Sequence, residues 1–160
     1  MKIRFFSLVC AVMLLCCSCG DSETNPAPAP TPVDFSALME TLTTIAPIDD
    51  PLILGESDML DFYGIEATQM KQFAAQQCSN GISAQEIVLV EAVDEAAASV
   101  VQEKLENRLS ARMAESKDYL PDEYTIISDC EVVRDGLCIR LIIHAQEDAL
   151  VEEYNKALSK

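Results

Sequence analysis

Four prolines alternate with other residues in Asn25-Pro26-Ala27-Pro28-Ala29-Pro30-Thr31-Pro32. Each proline fixes its own φ and removes a backbone N–H, so this stretch is shut out of helix interiors and central strands. It divides the 160-residue chain. Any folded core must come from the residues after it, and the residues before it serve a separate purpose. The 14 residues from Gly20 to Val33 read as a polyproline-like tether. At roughly 3 Å per residue they reach about 40 Å.

The segment before the tether has the order of an export signal. Lys2 and Arg4 give a positive start, and Phe5 to Cys17 is an almost purely apolar run of 13 residues. Small residues and a polar chain follow. A membrane-spanning helix needs about 20 apolar residues, so the run reads as a removable signal over residues 1–18. Leu15-Cys16-Cys17-Ser18-Cys19-Gly20 resembles the lipobox of bacterial lipoproteins, in which a cysteine is acylated and becomes the first residue. Cys16, Cys17 and Cys19 compete for that role. Cys19 fits best, because the small Ser18 precedes it and a polar chain follows, although Cys16 stands where Leu is common. The expected layout is signal peptide 1–18, lipid-anchored Cys19 with tether 19–33, and a folded domain 34–160. The expected location is extracytoplasmic, on the bacterial cell membrane, with the lipid as the membrane partner.

Loss of Lys2 and Arg4 with the signal leaves 9 basic against 27 acidic residues, a formal charge of −18. Such a surface repels nucleic acid and anionic headgroups. A nucleic-acid partner is therefore excluded.

After the tether, hydrophobic periodicity gives the order of elements. Phe35, Leu38, Met39, Leu42 and Ile45 share one helical face, with Asp34 as cap and Pro47 as stop. Ile48 to Gly55 reads as a loop. Ser57 caps a short helix, Asp58 to Tyr63, closed by Gly64. Met70–Cys78 and Ile82–Val93 read as strands around Asn80-Gly81, a strong hairpin signal. Ile87-Val88-Leu89-Val90 is continuously apolar, so the second strand reads as central and covered on both faces for part of its length. Asp94 opens a long helix whose stripe is Ala97, Val101, Leu105, Leu109 and Met113, ending before Pro121. A second hairpin is predicted from about Tyr124–Arg134 and Leu137–Ala145 around Asp135-Gly136. A last helix covers Asp148–Leu158. The order α-ββ-α-ββ-α predicts an α+β fold: a single two-layer domain whose four-stranded antiparallel sheet of two hairpins is packed by helices.

Residues that could carry chemistry are few. Cys78, Cys130 and Cys138 remain beside the lipidated cysteine, an odd number that argues against a disulfide framework. In the second hairpin, a two-residue turn puts Cys130 and Cys138 on opposite faces. A three-residue loop puts them diagonal on one face, still beyond ordinary bridging distance. Free thiols are expected either way. With His144 they match no zinc spacing, and no metal or cofactor is expected. Alternation places Ile139, Leu141 and Ile143 in the core and His144, with Cys138, Arg140 and Ile142, on a more exposed face. Asp49-Asp50 and Glu56-Ser57-Asp58 lack the ligand pattern of a calcium loop. No serine sits in a nucleophile elbow. No catalytic residue is assigned.

Glu86 stands apart. It shares a strand face with Val88 and Val90, and a buried carboxylate must be paired or hold its proton. Arg108 and Arg112, one turn apart beside the apolar stripe of the long helix, are the cations that can reach it. The three form a structural ion pair, a polar ligand site at the helix–sheet junction, or a general acid pair.

The runs Met59-Leu60-Asp61-Phe62-Tyr63-Gly64-Ile65, Ala84-Gln85-Glu86-Ile87, Leu105-Glu106-Asn107-Arg108 and Tyr119-Leu120-Pro121, followed by Val132 and Gly136, resemble the DUF4358 family. The resemblance spans about Met39 to Ala145. It implies a lipid-anchored or secreted protein, mostly of Firmicutes, with no assigned activity and no catalytic residues to carry over. The expected role is a non-enzymatic binding or interaction domain at the cell envelope, with an unknown protein or small-ligand partner. The alternatives are a cell-wall hydrolase using carboxylates, which needs two facing carboxylates about 5–10 Å apart, and an accessory subunit of a membrane transporter, which needs an exposed apolar patch.

Overall fold

The computed structural model describes residues 33–159. The signal segment, Cys19 and nearly all of the tether lie outside the described residues. The first helix, α1 (Phe35–Ile45), starts at the predicted cap: Asp34 Oδ1 accepts from the backbone N–H of Ser36 at 2.8 Å and of Ala37 at 3.2 Å. Its side chains Phe35, Leu38, Met39 and Leu42 are buried.

The loop predicted over Ile48–Gly55 contains a strand, β1 (Pro51–Ile53). It pairs antiparallel with β2 (Met70–Cys78), Leu52 opposite Gln77. Two features hid it. Three residues are too few for alternation to register, and all three are exposed. A proline is tolerated there because β1 is an edge strand. Between them lies α2 (Glu56–Tyr63), which begins at Gly55 rather than at Ser57. Asp58 closes its start by accepting from the Gly55 N–H at 2.7 Å. Gly64 ends it in the left-handed region, φ 68°, as its residue type allows.

β2 pairs antiparallel with β3 (Glu86–Ala92). Asn80-Gly81 does not form a two-residue turn. Asn80 Oδ1 instead accepts from the N–H groups of Ile82 and Ser83, at 3.0 and 3.2 Å, and folds a longer connection. This delays the strand to Glu86. The long helix α3 (Glu95–Tyr119) follows, capped by Asp94 Oδ1 on the Ala97 N–H at 2.8 Å.

The second hairpin is shorter than predicted. Tyr124 to Asp129 belongs to a further helix, α4 (Pro121–Asp129), not to a strand. Pro121 stands in its first turn with Asp122 and Glu123, a strong helix start that outweighs the strand preference of Tyr124-Thr125-Ile126-Ile127. β4 (Val132–Asp135) and β5 (Cys138–Ile143) pair Asp135 with Cys138. The turn residues are thus Gly136-Leu137, not Asp135-Gly136. Only Gly136 takes positive φ, 59°, which suits a type II′ turn with Gly first. Cys130 precedes the strand and ends α4, so neither predicted Cys130–Cys138 relation holds. The last helix is α5 (Glu147–Leu158).

The sheet has five strands, not four, in the order β1-β2-β3-β5-β4, and every pairing is antiparallel. The α+β class stands, but the domain has three layers rather than two. On one face, Val88, Val90, Ile139, Leu141 and Ile143 pack under Met59 of α2, Val101 and Leu105 of α3 and Ile127 of α4. On the other, Ile87, Leu89 and Ile142 pack under Phe35 and Leu42 of α1 and Leu150 and Tyr154 of α5. The face predicted to be more exposed is therefore covered, and His144 and Arg140 are buried with it. No helix among the described residues is long and apolar enough to cross a membrane.

Candidate functional site

Glu86 opens β3 on the face covered by α3 and is fully buried. The four-residue repeat of α3 turns Leu105 and Leu109 toward the sheet and sets Arg108 and Arg112 at the margin of that stripe. Both arginines arrive at Glu86. Arg108 grips it side-on. Its Nε donates to both carboxylate oxygens at 3.2 Å and its Nη2 donates to Oε2 at 2.8 Å. Arg112 Nε stands 3.9 Å from Oε2, an ion pair without a hydrogen bond. The arginine side chains are 18% and 22% exposed, while Glu86 is out of reach of water.

Residues that sequence reasoning did not find complete the junction. Gln77, directly across the hairpin from Glu86, accepts from Arg108 Nη2 at 3.1 Å. The Arg108 guanidinium lies over the Tyr63 ring, 5.3 Å from its centre. The Tyr63 hydroxyl is buried without a hydrogen-bond partner. Burial, then the charge of Glu86, push its pKa well up. Arg112 Nη2 donates to the Ser83 carbonyl at 3.2 Å. Glu123 of α4 accepts from the Ala84 N–H at 2.6 Å. The connection just before Glu86 is thus clamped by both α3 and α4. Gln77 escapes the sequence because a two-residue turn at Asn80-Gly81 pairs Glu86 with Ala75, and the longer connection shifts the register to Gln77. Glu123 escapes it because it lies in α4, most of which reads as a strand.

Burial alone would lower the pKa of Arg108. The hydrogen bonds and charge of Glu86 outweigh it and hold the guanidinium above its usual value. Side-on bidentate pairing occupies both carboxylate oxygens. Such a carboxylate is placed to orient a helix on the sheet.

The other side chains singled out from the sequence lie elsewhere. His144 Nδ1 accepts from the Gln146 N–H at 3.0 Å, and Nε2 stands 3.4 Å from the Pro47 carbonyl. Both ring nitrogens are occupied. His144 and Glu147 border a cleft of about 330 Å³ between α4 and α5. A second cleft, about 280 Å³, lies between α1 and the β1–β2 edge, beside Met39, Ile53 and Phe73. No group of three His, Cys, Asp or Glu side chains among the described residues could hold a metal ion.

Cys78, Cys130 and Cys138 are free thiols. Burial, then the nearby Glu147 carboxylate, push Cys130 up to about 12. Its Sγ–H donates to the Ile126 carbonyl at 3.1 Å. In the native chain, Cys138, which is partly exposed, should be alkylated first and Cys130 far more slowly. Thiol titration of the chain from Asp34 onward, denatured and unreduced, should count all three. A count of one would reveal a disulfide that this packing does not allow.

No curated protein and no solved structure matches the chain. The family model described as "Domain of unknown function (DUF4358)" matches residues 51–144, from β1 to just past β5. That span carries Tyr63, Gln77, Glu86, Arg108, Arg112 and Glu123, the whole Glu86 junction. The match covers more than half of the sequence, and the chain belongs to the DUF4358 family.

Proposed function

We propose that this chain is an extracytoplasmic domain, held to a bacterial cell membrane by lipid on Cys19, that binds a protein or small ligand without catalysing a reaction. The observation that carries the non-enzymatic part is the state of Glu86. Both of its oxygens are gripped by Arg108, with Arg112 behind. A general acid or base must be free to reach the proton it moves. Glu86 instead fixes α3 on the sheet. What it builds is a rigid scaffold, and the surface of that scaffold is left for recognition.

The anchored part rests on the order of Lys2, Arg4, the apolar run, Ser18-Cys19 and the proline tether. A single acyl chain holds a protein weakly, and the two or three of a bacterial lipoprotein hold it durably. The tether then sets the domain off the headgroups, and the acidic surface keeps it there. Mass spectrometry of the mature N-terminus should find a diacylated Cys19. Cys19→Ala should move the protein from the membrane fraction to the soluble or unprocessed one. An unmodified mature start at any other residue would contradict the anchor while leaving the scaffold reading intact.

A further inference from the structure

The two faces of the sheet treat their buried cations differently. Arg108 has Glu86. Arg140, on the opposite face in β5, has no carboxylate within 4.0 Å among the described residues, although it is only 5% exposed. Its Nε and Nη1 are buried with no hydrogen-bond partner. The guanidinium lies over the Tyr154 ring of α5, 5.6 Å from its centre. The Tyr154 hydroxyl is also buried and unpartnered.

This arrangement is costly as it stands. A buried charge without a partner is among the most unfavourable features a core can hold, and a face of an aromatic ring offsets only part of that cost. Every orphaned group here is a donor: two guanidinium nitrogens and one phenol. An acceptor is what they lack. The acids nearest in effect are Glu147 and Asp135, which act on Arg140 and Tyr154 from a distance. Glu147 is also engaged with Cys130. The surroundings are apolar. Leu89 and Val133 stand across the sheet from Arg140 on either side, and Ile142 follows it on the same face.

We propose that the Arg140–Tyr154 pair is a binding site for a small monovalent anion of the chloride type, between β5 and α5. A halide accepts hydrogen bonds from any direction and tolerates apolar contact on its remaining surface. A phosphate or sulfate brings more charge and more oxygens than these donors can satisfy, and each unmet oxygen would be penalised. The bound ion supplies the missing counter-charge and ties α5 to the sheet through Tyr154. The site is independent of the Glu86 junction and of the lipid anchor.

The test is thermal unfolding of the full chain in sodium chloride against sodium gluconate at matched ionic strength, with bromide located by anomalous diffraction from crystals. A ligand that binds only the folded state raises Tm in a saturable way. Chloride should do so in the wild type and gluconate should not. Tyr154→Phe keeps the ring and removes one donor, so the half-saturating chloride concentration should rise about five- to tenfold. Arg140→Met should abolish the chloride effect. If that variant fails to fold, Tyr154→Phe and the bromide peak still decide. Equal Tm in the two salts, unchanged chloride dependence in Tyr154→Phe, or bromide absent from the pair would each overturn the proposal.

Discussion

Glu86→Ala should lower the stability of the domain by about 3 to 5 kcal/mol, the effect of breaking a buried, hydrogen-bonded ion pair. The change leaves Arg108 with a desolvated guanidinium whose remaining partners are Gln77 and the Tyr63 ring. It also frees the inner edge of Arg112. Glu86→Gln keeps the shape and an acceptor oxygen but loses the charge, so it should fall between wild type and alanine. Both are read as shifts of the denaturation midpoint at constant slope. The sign separates a scaffold role from a catalytic one. Catalytic carboxylates are often held at a cost to the fold, and neutralising one tends to leave stability unchanged or improved. A neutral or stabilising Glu86→Gln would therefore point to chemistry at this junction.

Phe35→Ala should cost about 3 to 5 kcal/mol, the range for removing a buried aromatic side chain. Phe35 opens α1 and is buried on the sheet face opposite Glu86. Its backbone N–H donates to Gln72 Oε1 at 3.0 Å, so the start of α1 is fixed to β2 as well. The loss is large only because the domain has three layers. In a two-layer domain that face would be wet, and truncating one side chain there would cost less than about 1 kcal/mol. Chemical denaturation of this variant measures how firmly the α1–α5 layer is part of the core.

Much of this arrangement was legible where a local signal and the global pattern agreed. Asp34 and Asp94 cap the helices they were predicted to cap, and Gly64 ends α2 in the conformation only its type adopts readily. The alternation that put Glu86 beside Val88 and Val90, with the four-residue stripe of α3, sufficed to bring Glu86, Arg108 and Arg112 together. The misses have physical causes. β1 is a three-residue edge strand with no buried side chain, so it has no pattern to read. α4 carries strand-forming residues, but its proline start and packing on α3 decide its state. The unbroken apolar run Ile87-Val88-Leu89-Val90 marks β3 as covered on both faces, and all four side chains are buried. Only on β5 does the second face read as more exposed, because Arg140 and His144 look polar in sequence, yet Arg140 lies over Tyr154 and His144 is hydrogen-bonded at the loop.

Glu86 and Arg108 act as one unit that seats α3 on the sheet. A double-mutant cycle in denaturant unfolding reads that unity out, using Glu86→Ala, Arg108→Ala and the pair together. Each single change strands a buried charge and the double change removes both. The double variant should therefore cost less than the sum of the singles by at least about 1 kcal/mol. Additivity within about 0.5 kcal/mol would contradict the coupling, and with it the scaffold role assigned to the junction.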